Sequence, residues 1–147
     1  MHTIDAEAAI ENRQITRSFR DLRVWDKAFT LTQTVHRLVD ALPPAAARDL
    51  GEGMRETALA VTTQIAQGST HSYSKDFLRC LDASLVALSD LETRVLLAGS
   101  LGYLDTVAKT EVEGLISEVR RMEWSLVNRL RAREDAPGRI SMAVAGS

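Results

Sequence analysis

Apolar side chains recur along this chain at steps of three and four, the mark of helices that bury one face. Trp25, Phe29, Thr32, Val35, Val39 and Leu42 form the first stripe, widened by Val24, Ala28, Leu31 and Leu38. Arg23, Asp26, Thr30, Gln33, Arg37 and Asp40 fall on the other side. This predicts a helix from about Asp21 to Ala41, stopped by Pro43-Pro44, since proline lacks a donor and restricts the residue before it. Leu50, Met54, Ala58, Val61 and Ile65 predict a second helix from about Ala46 to Gln67. Gly51 and Gly53 weaken its start, and Gly68 is placed as a left-handed stop. Ser74 as N-cap and Asp76 in the first turn open a third helix that runs to about Gly99. Its apolar positions are Phe77, Leu78, Leu81, Leu85, Leu88, Leu91, Val95 and Leu96. Ala83, Val86 and Ala87 extend them around the helix, which predicts neighbours on several sides. After a turn at Gly99 to Gly102, Asp105 or Thr106 caps a fourth helix that reaches about Arg133. Its stripe is Ala108, Val112, Leu115, Val119, Met122, Leu126 and Leu130.

Short connections make consecutive helices antiparallel. The expected fold is all-α, an antiparallel up-down-up-down four-helix bundle over residues 19–133. Residues 1–18 read as an N-terminal extension with a short helix around Ala6 to Gln14, and 134–147 as a flexible tail. Composition agrees: 147 residues with only 8 glycines and 3 prolines leave too few turns for a β-sandwich or barrel. No apolar run approaches the ~18 residues of a membrane span. Met1 to Ser18 resembles neither a secretory signal nor a transit peptide. With one cysteine, Cys80, no intramolecular disulfide framework is available, and the expected location is the cytoplasm.

Several strings carry a family resemblance. Phe19-Arg20-Asp21-Leu22-Arg23-Val24-Trp25-Asp26-Lys27-Ala28 has the pattern Phe-x-x-Leu-x-Val-Trp-x-x-Ala. Thr63-Gln64-Ile65-Ala66-Gln67-Gly68, Ser74-Lys75-Asp76-Phe77-Leu78-Arg79, Leu91-Glu92-Thr93 and Leu101-Gly102-Tyr103-Leu104 follow in order. Together, over about Phe19 to Leu130, they resemble the bacterial four-helix bundle proteins, also called the 23S rRNA-intervening-sequence protein family. The resemblance implies an intracellular bundle without established enzymatic activity that forms a homo-oligomer, typically a pentamer. A distantly related branch is the accessory variability determinant of diversity-generating retroelements, a pentamer that binds a reverse transcriptase and its RNA. Gln64 and Gln67 stand where the family has Asn and Glu, Val86-Ala87 replaces Gly-Ser, and Asp90 replaces Glu. The resemblance places Gln64, Gln67 and Asp90 in an interhelix polar cluster, here less charged.

Lys+Arg is 18 against 20 Asp+Glu, a net charge of −2. No overall basic excess supports nucleic-acid binding. Locally, however, Arg120, Arg121, Arg129, Arg131 and Arg133 face one acid, Glu123. They read as cations favoured near a helix C-terminus, or as a candidate nucleic-acid-binding stripe. His2, His36 and His71 make no Glu-x-x-His pair, so no metal site is expected. Cys80 reads as inert core. Ser69, His71 and Ser72 read as loop residues, and Gly51-Glu52-Gly53 lacks the rest of a phosphate loop. No catalytic residue, cofactor or metal is expected.

Trp124 stands about half a circle from the core stripe, beside Gly114, Ser117, Arg121, Asn128 and Arg131. Tryptophan and arginine are enriched at binding hot spots. Gly114, Ser117, Arg121, Trp124 and Asn128 are therefore the candidate oligomer interface. Stacking on a nucleic-acid base and cover by the N-terminal segment remain open for the same face. The expected partners are the chain itself, then an RNA or another protein, and no membrane.

Overall fold

In the computed structural model, which describes residues 18–135, the Ser18 hydroxyl accepts the Arg20 N–H at 3.1 Å and opens a 3-10 turn, Phe19–Asp21. Helix α1, Arg23–Asp40, follows directly. Pro44 then starts a single helical turn, Pro44–Ala46, at a first-turn position where its missing N–H costs nothing. A π-type turn, Ala47–Gly51, leads into α2, Glu52–Ser69. Helix α3 is Ser74–Ser100 and α4 is Thr106–Asp135. Between them Gly102 adopts φ +80°, the left-handed conformation that glycine adopts without strain. The Tyr103 N–H reaches the Ala98 carbonyl at 2.9 Å, and the Gly102 N–H reaches Gly99 at 3.1 Å. This is a Schellman closure. Asp105 caps α4 by accepting the Ala108 N–H at 2.8 Å.

The register of side-chain pairs defines the topology. Asp40 meets Arg55 near the α1–α2 connection, and Thr32 meets Thr62 further along both helices. Gly68 lies against Phe77, and Val61 meets Ser84. Gly99 lies against Lys109, Glu92 meets Arg120, and Ser84 meets Glu123. Each consecutive pair therefore runs in opposite directions. Lys27 and Glu118, 3.5 Å apart, bring α4 back onto α1 and close a four-helix bundle.

The core is one cluster along the bundle axis, including Leu31, Val35, Met54, Ile65, Leu81, Leu88, Leu91, Val95, Ile116 and Val119. Burial of this apolar surface supplies the main stabilisation, whereas exposed ion pairs such as Arg55–Asp40 contribute about 0–1 kcal/mol. Thr32 is the polar member of the α1 stripe. Its Oγ1 is hydrogen-bonded within α1 and to α2: Ala28 and Ala58 carbonyls lie at 3.1 and 2.9 Å, and Thr62 Oγ1 at 2.8 Å.

Several local expectations are corrected. Gly68 is not a left-handed stop. It is a buried helical residue, and a Cβ there would lie 2.6 Å from the Phe77 ring and 2.9 Å from Cys80 Cβ. Its role is the close approach of α2 and α3. Ser74 is the first helical residue, and the N-cap is Tyr73, without a side-chain bond. Helix α3 leaves one side open, with Val86, Leu96 and Leu97 exposed. Cys80 is half-buried instead of core. In α1 the buried line runs through Val24, Ala28 and Leu31, while Phe29 is exposed and Trp25 half-buried. In α4 the buried line is Val112, Ile116, Val119, Glu123 and Leu126/Val127. Leu115 and Met122 only flank it.

Candidate functional site

The outer side of α4 collects the interface candidates. Gly114, Ser117, Arg121, Trp124, Asn128 and Arg131 follow at steps of three and four, away from the buried line, and all are exposed. Trp124 is 43% exposed. The Arg131 guanidinium stands 5.9 Å from the Trp124 ring centroid, within cation–π range. A shallow groove beside it is lined by Ser117, Arg120, Arg121, Trp124, Ser125 and Asn128. A Cβ on Gly114 would meet nothing within 4 Å, so no contact among the described residues requires glycine there.

The five arginines do not form one stripe. Arg120 is held by Glu92, Nη2 to Oε1 at 2.8 Å. Arg129 lies toward Ser125 and helps line a second groove against Arg23 and Val24 of α1. Arg133 is half-buried and partnered. Arg121 and Arg131 are the two that share the Trp124 face. Nor do Gln64, Gln67 and Asp90 come together. Gln64 is half-buried, Gln67 is exposed, and Asp90 bonds to Arg94 on its own helix at 2.8 Å. Val61 is level with Ser84 and the helices are antiparallel, so Gln64 is level with Leu81 and Asp90 lies about 14 Å along the bundle from it, at 1.5 Å per residue.

The polar centre lies elsewhere, at a residue that composition alone does not single out. Glu123 has no exposed surface. Ser84 Oγ lies 2.8 Å from Glu123 Oε2 and 3.0 Å from the Val61 carbonyl, so the contact ties α2, α3 and α4 together. Glu123 Oε1 has no hydrogen-bond partner. Burial pushes the Glu123 carboxyl up to about 8, against smaller lowering effects from the Ser84 hydroxyl and the Arg120 charge. Proton counting agrees. Ser84 has one hydroxyl proton for two acceptors. A protonated Glu123 donates to Ser84, which then donates to Val61, and both contacts are satisfied. Among the described residues no group of three His, Cys, Asp or Glu side chains could hold a metal, and no helix is long and apolar enough to cross a membrane.

Residues 20–125 match the family model described as 23S rRNA-intervening sequence protein. The chain belongs to the 23S rRNA-intervening sequence protein family. Comparison with curated proteins returns no match. Within this family member, the strings that carried the resemblance have architectural roles. Leu22, Val24 and Ala28 are buried, and outside them Phe19 meets Trp25 edge-on at 5.0 Å. Trp25 stacks on Phe29 at 4.9 Å with 17° between the ring planes. Gly68 receives Phe77, which joins the second string to the third. Leu91 is core, and Glu92 holds Arg120. Gly102 makes the left-handed turn.

Proposed function

We propose that the chain is a non-catalytic cytoplasmic scaffold that assembles into a homo-oligomer, a pentamer as the family resemblance implies, and binds a partner through the assembled surface. The observation that carries this reading is the outer face of α4. A half-exposed Trp124 sits under Arg131, between small residues, on a helix side that no other described helix covers. Leaving such an aromatic in water forgoes roughly 1.5–3 kcal/mol of burial. Mid-helix Gly114 costs about 1 kcal/mol relative to alanine, which close approach of a second helix would offset.

The test is Trp124→Ala, at a position outside the core. Truncation of a hot spot costs about 2 kcal/mol or more, which is roughly a thirtyfold or greater weakening of association. Sedimentation velocity across a dilution series reads it. A variant that assembles at wild-type concentrations removes this face from the interface.

A second reading is an RNA-binding accessory protein, favoured by one observation: Arg121 and Arg131 lie beside an aromatic face suited to base stacking. It predicts structured-RNA binding that falls steeply as salt rises, and its loss on Arg121→Glu or Arg131→Glu. Fluorescence anisotropy with a labelled RNA hairpin checks this, and no binding at low salt ends it.

A further inference from the structure

The homo-oligomer reading leaves open what receives the α4 face, and this inference rests on that reading. Pairing α4 with α4 of a second copy would bring Arg121 and Arg131 of both chains to one seam, where like charges repel. An acidic row is needed instead. The outer side of α2 provides one: Glu52, Glu56 and Leu59 follow at steps of four and three, all exposed, with Leu59 at 50%. Neither Glu52 nor Glu56 forms an ion pair among the described residues. The exposed sides of α1 and α3 are mixed in sign, and Asp40, Asp76 and Asp90 are already taken by Arg55, Arg79 and Arg94.

Height along the bundle matches as well. Ser84 reaches both Val61 and Glu123, so those two residues are level, and α2 and α4 run in the same direction. Leu59 is then level with Arg121. Glu56 is about 4.5 Å away along the axis, within reach of an arginine side chain. Trp124 falls between the levels of Leu59 and Thr63. Rotation about an axis parallel to the bundle preserves height. A second copy placed that way sets Arg121 level with Leu59 and about 4.5 Å along the axis from Glu56, and Trp124 between Leu59 and Thr63, distances that the long arginine and tryptophan side chains span. We propose that the Glu52–Glu56–Leu59 row of α2 receives the Arg121–Trp124 face of α4 from the next copy, a head-to-tail contact repeated around the assembly.

The experiment compares full-length wild type, Arg121→Glu, Glu56→Arg and the double reversal by sedimentation velocity, with circular dichroism as a check of helix content. All substitutions are at exposed positions. Each single reversal is expected to weaken association at least tenfold, and the double reversal to restore it. Single reversals without effect on an oligomeric wild type overturn the contact and leave the oligomer standing. Loss without rescue assigns the α4 face to a different row. A wild type that stays monomeric until residues 1–17 are removed assigns it to the chain's own N-terminal segment. A monomeric wild type under all conditions overturns the oligomer reading and this contact together.

Discussion

Replacing Glu123 with glutamine is expected to flatten the pH dependence of folding stability between about pH 4.5 and 8. In the native bundle burial raises this carboxyl from 4.5 to about 8, and the unfolded chain restores the ordinary value. Below about 4.5 both states hold the proton, and the contribution of the group is fully present. Between the two values the native state binds a proton that the unfolded state has released. Stability then falls as pH rises, by up to about 1.4 kcal/mol per unit. Above about 8 both states are ionised and the contribution is gone. The full loss has an upper bound on the order of 5 kcal/mol. Glu123→Gln keeps the shape and stays neutral, so it loses some hydrogen-bond quality to Ser84 but carries no titration. The wild type is expected to be more stable at pH 5, and the variant more stable at pH 9. Urea unfolding at fixed protein concentration, from pH 5 to 9, measures the difference. Parallel profiles for the two proteins would mean that Glu123 is not the titrating group.

Gly68→Leu is expected to destabilise the bundle by about 3 kcal/mol or to prevent its folding. Two effects oppose each other. Removing a helix glycine favours the helix by about 1 kcal/mol. Overpacking a filled core costs about 1–3 kcal/mol, and more when the obstacle cannot move. At Gly68 the obstacles are a buried aromatic ring and Cys80 Cβ, which is fixed to the α3 backbone. Sterics win. Gly114→Ala is the control, because its Cβ meets open space, and it is expected to stabilise the isolated subunit. Thermal or urea unfolding of both variants reads the contrast, and equal effects at the two glycines would refute it.

Periodicity made four helices and their connections legible, because each helix buries one side along its length. Angular phase was less legible. In α4, ranking positions by hydrophobicity selects Leu115 and Met122, one residue and about 100° away from the buried Ile116 and Glu123. The signal for Glu123 was present: it lies four residues after Val119 and four before Val127, on the buried line. A charged residue at such a position is discounted when polarity alone assigns it to solvent. Gly68 misled for a similar reason, since a glycine near a helix end suits a stop or a close contact equally well. Only the position of Phe77 separates the two. Trp124 was legible as outward because its phase is about half a circle from the Leu115 stripe and still about 100° from the buried line through Glu123. The polar trio Gln64, Gln67 and Asp90 rested on resemblance, and the α2–α3 register separates its members along the bundle.

Native mass spectrometry of the purified full-length chain tests the central claim most directly. The account predicts a discrete assembly of five copies of the 16.2 kDa chain at micromolar concentration. A single 16.2 kDa species at that concentration would contradict it.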